Sequence, residues 1–576
     1  MQKRKRLFIG LGLVSTLALT AFVAVNEYFE VSKNLEIHAD LYKELHNFYV
    51  DETNPGQLMK TGIDAMLASL DPYTVYYPEN TIEDARVAAS GSYGGIGSSF
   101  RVIDNRLIIA YPYENSPAAK SGLQSGDMIV AVNGKDVSKL DIGGTLQLLK
   151  GAAGSNVEIK IQRDGEEKSF QLQRADIKIN VVPYSGFLNE STGYIKLSRF
   201  SDDAYSQVRT ALTNLKSSGN LKGLVFDLRG NPGGLLREAI QICNLFIPKG
   251  KLVVSTKGKI QEWNKEYGTT VDAFDEQLPI VVLVDRRSAS ASEIVAGVLQ
   301  DYDRAVIVGN KSFGKGLVQT TRFLKYNSQL KVTVSKYYTP SGRCIQAIDY
   351  GKKENGTALK INAKNQQEFK TAGGRKVYDG GGVMPDVEVF DDVLNPITMA
   401  LISQNLIFKY ASHYKANHSS ISDKENFSMS DNEYAEFIKF VQNEGFTMQT
   451  NAEKTLNQLK GDLKSEPAFA VLMNDWNKLS NQIQQQKIDA LQTHKSQIKP
   501  LIEAEIVARY YFSSGKLVWE LKHDKDVAEA IKILGNQAEY KKILSPSFAI
   551  PRFEMDTLGA KFVNTFLEEL PEDIED

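Results

Sequence analysis

The sequence predicts a multidomain α/β chain, with a mostly β module and an α/β layer set between helical regions. Three observations predict it. Between Gly91 and Arg174 short β-branched runs are separated by Asn-Gly and Asp-Gly turns. From Asn180 to about Phe390, apolar strand-like runs alternate with helical patterns, the signature of an α/β layer. Past Asn395, Lys, Gln, Asn and Leu recur with a helical period. At roughly 100–200 residues per domain, 576 residues suggest about three to five domains, each large enough for its own core. Lys plus Arg number 68 and Asp plus Glu 70, so the net charge of −2 weighs against a protein built to hold nucleic-acid phosphates. Two cysteines, Cys243 and Cys344, are too few for a disulfide framework or a Cys-based zinc site, and they are expected as buried free thiols.

At the N-terminus, Lys3, Arg4, Lys5 and Arg6 precede an uncharged stretch from Leu7 to Val25, the pattern of an export signal. No clean small-x-small cleavage site follows, so residues 1–30 are expected as a signal peptide or, more simply, an uncleaved membrane anchor. The positive-inside bias then sends the remainder across the membrane, to the periplasmic side. Residues 31–87 read as short amphipathic helices broken at Asn54-Pro55-Gly56 and Asp71-Pro72. The β module, residues 88–176, contains Leu107-Ile108-Ile109, Met128 to Val132 and Val157 to Ile161, with turns at Asn133-Gly134 and Asp164-Gly165. In the α/β region, 177–392, Gly223 to Phe226, Ile280 to Val284 and Ala305 to Val308 read as buried strands, and Leu235 to Phe246 and Ser292 to Tyr302 as helices. A polar insert from about Asp349 to Lys376 is expected as a loop or excursion. Residues 393–576 form a helical region whose Gln-rich stretches, such as Gln482 to Gln486, are expected as solvated faces.

Tyr93-Gly94-Gly95-Ile96-Gly97, followed by the string from Asn115-Ser116-Pro117 through Gly126-Asp127-Met128 to Asn133-Gly134, resembles a PDZ domain. The resemblance implies that N–H groups of Gly95, Ile96 and Gly97 receive the C-terminal carboxylate of a peptide added as a strand to an exposed sheet edge. Glycine suits such a loop because no Cβ blocks the approach.

Hydrolytic chemistry needs a nucleophile, a base and donors for the oxyanion. All six histidines, His38, His46, His413, His418, His494 and His523, lie outside the α/β region, which excludes a Ser-His-Asp triad within it. A serine there is left with a neutral lysine as base, which burial makes available by depressing the lysine pKa. Two segments supply candidates: Asp285 to Ile294, with serines at 288, 290 and 292, and Ser312-Phe313-Gly314-Lys315-Gly316-Leu317-Val318-Gln319.

These segments, with Val225-Phe226-Asp227-Leu228-Arg229-Gly230-Asn231-Pro232-Gly233-Gly234, resemble the carboxy-terminal processing peptidases, tail-specific serine proteases with a Ser/Lys dyad. The likeness runs from about Leu41 to Asp386. It implies a crotonase- or ClpP-like α/β protease core with an inserted PDZ domain. In that family the lysine follows the serine by 25 residues, which selects Ser290 with Lys315, and Gln319 matches the glutamine that orients the lysine. The resemblance further implies an oxyanion held by the N–H of Ala291 and one from Gly233 or Gly234, with Asp227, Arg229, Asp301 and Arg304 as supporting residues. It implies no cofactor and no metal, and as partners extracytoplasmic proteins with exposed C-terminal tails; an activating or adaptor protein and a homo-oligomer stay open.

Blander readings compete with this one. Ser290 followed by Glu293 is also a capping box. Gly309 to Lys315 fits the first seven positions of a phosphate-binding P-loop, but Gly316 stands where Ser or Thr should hold Mg²⁺, and Leu317 to Thr321 reads as a strand where a helix must begin. A non-catalytic peptide-binding scaffold is the rival from another class, and intact Ser290, Lys315 and Gln319 count against it.

Overall fold

A computed structural model describes residues 28–79, 92–390, 393–448, 451–463, 469–550 and 574–575. The export-signal stretch lies outside the described residues. Among the described residues, no helix is long and apolar enough to cross a membrane. The chain divides into two units: Met1–Ile82 with Gln319–Thr333, and Glu83–Val318 with Val334–Asp576.

In the first unit, helix 28–48 is followed by helix Pro55–Ala68, whose start is fixed by proline in the first turn and by Asn54 accepting the Gln57 N–H. The Asp71 carboxylate then receives the N–H groups of Tyr73 and Thr74, turning the chain into strand Val75–Tyr77. That strand pairs antiparallel with Gln329–Lys331.

In the second unit, the PDZ module is an antiparallel sheet in the spatial order Ser98–Ile103, Arg106–Pro112, Met128–Val132, Asn156–Arg163, Glu166–Gln173. Both turns read from sequence place successive residues at positive φ, Asn133 with Gly134 and Asp164 with Gly165, as type I′ turns require. Ile96, Phe100, Ile109, Ile129, Ile159 and Leu149 fill the module's core. At Gly97, with φ +76°, a Cβ would lie 2.5 Å from Ser116 Cβ, so the loop opening the module needs glycine there.

The α/β layer is a six-stranded sheet in the order Tyr184–Phe187, Thr192–Lys196, Gly223–Asp227, Ile280–Val284, Val306–Gly309, Val387–Glu388. All neighbours are parallel except the first pair. Gly223 to Phe226, Ile280–Val284 and Val306–Gly309 are continuously apolar because both faces are buried there. Phe226, Val282 and Ile307 pack against the helices Ala204–Ser218, Leu236–Cys243 and Ala291–Asp301. The opposite face, with Val225, Val281, Leu283 and Val308, is covered by Leu521, Val527, Ala530 and Ile533 from the helices Lys495–His523 and Lys525–Gly535. The second layer of the sandwich thus comes from the far end of the chain.

The C-terminal helices also form their own core around Tyr410, Tyr434, Phe437, Ile498 and Ile506. The PDZ module docks on them. Ile108, Ala110 and Tyr111 meet Phe408 and Ala508, and the Tyr111 hydroxyl donates to Glu505 Oε1 over 2.7 Å.

One expectation gains detail and one is corrected. The polar insert is two β-hairpins, Ile348–Glu354 with Thr357–Lys360 and Glu368–Lys370 with Lys376–Tyr378. Asn355-Gly356, both at positive φ, closes the first. Cys344 is only half-buried, in the loop after strand Gln329–Tyr338, whereas Cys243 ends a helix and is fully buried; both are free thiols. The Gln482–Gln486 stretch is a largely exposed helix face, as expected.

Candidate active site

Parallel strands present the loops at their carboxyl ends to one side of the sheet, where α/β proteins build sites. Here three such loops meet: 228–235 after Gly223–Asp227, 285–290 after Ile280–Val284, and 310–316 after Val306–Gly309. Asn231, fully buried, joins the first two. Its side-chain amide donates to Leu197 O over 2.8 Å, and its carbonyl accepts the Ala289 N–H and the Ser292 hydroxyl. Gly230 N–H donates to Asp285 Oδ1 over 2.9 Å.

Ser290 stands at the N-cap of helix Ala291–Asp301 with φ 55° and ψ −110°, a conformation L residues rarely adopt and that costs on the order of 1–3 kcal/mol. Three groups hold it there. Its N–H donates to Glu293 Oε2 over 2.8 Å, and its carbonyl accepts from the Ile294 N–H and, over 3.1 Å, from the buried Tyr337 hydroxyl. A strained strand-to-helix turn of this type lifts a side chain out at the top of a sheet. The neighbouring serines are engaged elsewhere: the Ser288 hydroxyl donates to Leu228 O and that of Ser292 to Asn231 O. Geometry therefore separates Ser290 from its neighbours independently of any resemblance.

Glu293 ties the second and third loops together. It has no exposed surface, and each oxygen accepts twice: Oε1 from the Ser312 hydroxyl (2.5 Å) and Gly314 N–H (2.6 Å), Oε2 from the N–H groups of Ser290 and Lys315 (both 2.8 Å). The backbones of Ser290 and Lys315 thus share one oxygen. Burial pushes the Glu293 carboxyl above the usual carboxylate range, opposed by the same four donors. Nearby Lys311 is pulled down to about 8 by burial, aided by Lys360. Strand Leu317–Phe323 begins directly after Gly316, so the helix a P-loop requires is absent there.

Of the two candidate oxyanion glycines, Gly233 packs against the serine: a Cβ there would lie 2.8 Å from Ser290 Cβ and 2.9 Å from Ala291 N. Its N–H donates to Asn231 Oδ1 over 2.9 Å. Among the described residues the adjacent Gly234 N–H makes no hydrogen bond, and Ala291 N–H, at the helix start, has no intrahelical partner. Gly233 thus lies against Ser290, while Gly234 lies against Phe200.

Asp227 ends its strand fully buried, accepting from the Tyr194 hydroxyl (2.6 Å) and pairing with Lys196 and Arg229. Burial opposes its charge, but the Arg229 guanidinium and Lys196 outweigh it and hold the carboxyl well below the usual range. Arg229 reaches on to Asp524 (2.8 Å) and Asp526 (2.9 Å) at the start of helix Lys525–Gly535.

The remaining expected residues stand elsewhere. Asp301 is at the opposite end of the Ser290 helix, roughly 15 Å along its axis at 1.5 Å per residue, paired with buried Arg343. Arg304 donates to the carbonyls of Phe246, Leu278 and Asp275. Both brace the core rather than the site, because the helix between them and Ser290 is spanned by apolar packing. Gln319 belongs to the first unit, where its side-chain amide donates to Thr333 Oγ1, which donates in turn to Asp71 Oδ1. Gly95 ends strand Ser92–Gly95, paired antiparallel with Ala175–Lys178, and only Ile96 and Gly97 form the link to the PDZ strand Ser98–Ile103. Sequence reading missed Glu293 as more than a cap, placed Asn231 in the glycine-rich string without a role, and missed Tyr337, Asp524 and Asp526 altogether. A glutamate followed by Ile294-Val295-Ala296-Gly297-Val298 was the available signal, since a carboxylate in a buried helix needs partners.

Comparisons with known proteins agree with this architecture. Residues 191–355 match the model of peptidase family S41, residues 108–163 that of a PDZ domain, and residues 397–534 that of the probable PDZ-protease C-terminal helical domain. The carboxy-terminal-processing protease of Bartonella bacilliformis is 35% identical over 353 residues, 60% of this chain and 81% of that protein. A probable CtpA-like serine protease of Staphylococcus aureus is 35% identical over 58% of this chain and 69% of its own. Among solved structures, a photosystem II D1 C-terminal processing protease is 25% identical, covering 62% of this chain and 93% of that one, with a TM-score of 0.33. The chain belongs to peptidase family S41, the serine-type peptidases, and carries a PDZ domain. Within that family its relatives are carboxy-terminal-processing proteases.

Proposed function

We propose that this peptidase captures C-terminal tails of extracytoplasmic proteins in its PDZ module and cleaves the chain with a Ser290/Lys315 dyad. The observation that carries this reading is the shared Glu293 oxygen, which binds the backbones of serine and lysine alike. In the reaction, the neutral Lys315 amine takes the Ser290 hydroxyl proton as Oγ attacks the peptide carbonyl. The oxyanion receives the N–H of Ala291 and one from Gly233 or Gly234. The lysine ammonium returns its proton to the leaving amine, and water, deprotonated by the same lysine, hydrolyses the acyl-enzyme. Gln319 orients the lysine by the family resemblance. The extracytoplasmic setting is supported by the basic run Lys3–Arg6 before Leu7–Val25.

The test is cleavage of an unfolded reporter with an apolar C-terminus by the parent and by Ser290→Ala, Lys315→Ala and Lys311→Ala forms. Turnover lost in the first two and retained in the third is expected. Retained turnover in Lys315→Ala with loss in Lys311→Ala would move the base to Lys311; retention in Ser290→Ala would end the dyad reading.

A further inference from the structure

Strand Ser98–Ile103 follows directly on Gly95-Ile96-Gly97 and pairs on one side with Arg106–Pro112. Its other side would be a bare sheet edge, a row of unpaired N–H and C=O groups that takes up any extended chain of the right sense. In this protein that edge is filled. Ile574–Glu575 pairs with it antiparallel, Ile574 opposite Phe100 and Glu575 opposite Ser99. As the added strand advances from 574 to 575, its partner falls from 100 to 99. The segment therefore runs toward Gly97, the direction in which a peptide must run for its carboxylate to meet the N–H groups of the glycine loop.

We infer that the chain's own strand Ile574–Glu575 is the resident occupant of the PDZ groove and competes with substrate tails for it. This rests on the reading of the module as a peptide grip. Two strands cannot pair with one edge, so a substrate tail must displace the internal one. Because that strand belongs to the same chain, it competes intramolecularly, independently of protein concentration. The apparent affinity for an external tail is then lowered about tenfold or more. The grip is open chiefly to tails that pair better than the internal segment, which sets a threshold on capture before any cleavage step.

The experiment uses the full chain and a double variant, Ile574→Pro with Glu575→Pro. Proline lacks the N–H a strand pair needs. Two readouts are taken: backbone hydrogen exchange across Ser98–Ile103, and anisotropy of a fluorescein-labelled peptide of the sequence Pro571-Glu572-Asp573-Ile574-Glu575-Asp576. The inference expects faster exchange across Ser98–Ile103 in the variant, and peptide binding about tenfold tighter than in the parent. Unchanged exchange and unchanged affinity overturn it. Faster exchange with no peptide bound by either protein leaves the internal pairing standing and removes the peptide-grip reading. Protection in the parent that fades on dilution places the segment of a second copy in the groove and overturns the intramolecular form.

Discussion

Replacing Glu293 by glutamine changes one oxygen to an amide nitrogen and little else in shape. Because each carboxylate oxygen accepts two hydrogen bonds, either orientation of the amide leaves two of the four donors without an acceptor and points a third N–H source at them. A buried donor left unsatisfied costs about 1–3 kcal/mol, so Glu293→Gln is expected to lose about 2–6 kcal/mol of stability. The rate consequence is separate. If the amide nitrogen faces Ser290 and Lys315, their backbones are released from the shared oxygen, and a displacement of about 1 Å at a reacting group costs on the order of a hundredfold. The assay is steady-state cleavage of the unfolded reporter well below the melting temperature, with urea unfolding measured in parallel. kcat is expected to fall by about two orders of magnitude while KM, which the proposed tail capture in the PDZ module would set, moves little. Glu293→Asp keeps the charge but shortens the reach, and an intermediate rate is expected. A glutamine variant within about threefold of the parent kcat and with the parent's urea midpoint would refute the positioning role.

Gly233→Ala places a Cβ 2.7–2.9 Å from Ala289 O, Ser290 Cβ and Ala291 N at a φ of +101°, so a loss of more than about a hundredfold in kcat is expected, with a lowered melting temperature. Parent-like turnover in that variant would remove the loop from the site. Asp524→Asn with Asp526→Asn strips Arg229 of its partners on the C-terminal helix while leaving Asp227 in place; these partly exposed pairs are expected to cost roughly 1–3 kcal/mol in urea unfolding, with about a tenfold fall in kcat as the loop after Arg229 loosens. Glu505 is held below the usual carboxylate range because Lys516 and Arg509 outweigh its burial. A depressed folded pKa contributes stability that is present above the ordinary glutamate value, about 4.3, and is lost as pH falls through the lower folded value. The difference in urea midpoint between the parent and Glu505→Gln should therefore be full at pH 7 and shrink below about pH 4; a difference independent of pH would refute the assignment.

The strands of the parallel sheet were legible because Gly223 to Phe226, Ile280–Val284 and Val306–Gly309 are buried on both faces and so are apolar without interruption. The layer that buries the second face was not. Val527, Ala530 and Ile533 lie more than two hundred residues from the strands they cover, and an amphipathic helix carries no mark of its partner. The site was legible as a pair of segments, while its organisation depended on one carboxylate that local sequence explains equally well as a helix cap. Asp301 and Arg304 show the opposite failure. The family resemblance implied a supporting role at the site, but the helix Ala291–Asp301 carries Asp301 away from Ser290 along its full length. The insert hairpins were marked by Asn355-Gly356, a turn signal outweighed by the polarity of the residues around it.

The C-terminal helices do more than close the sheet. Asp524 accepts the N–H groups of Asp526 and Val527 to start helix Lys525–Gly535, and the same carboxylate binds Arg229. Val527, Ala530 and Ile533 on that helix pack on the strands that end at the site. One helix earlier, Glu505, Arg509 and Lys516 hold Tyr111 of the PDZ module. A shift of the helix Lys495–His523 that released Tyr111 would also move Asp524, the residue directly after it, and with it the Arg229 anchor of the glycine loop. The break in that helix at Tyr511 and Phe512, where Phe512 has φ 60°, lies between the Glu505 and Asp524 contacts and is a point at which they could move separately. Straightening it should therefore disturb tail capture and turnover together, whereas the Asp524 and Asp526 substitutions should disturb turnover alone.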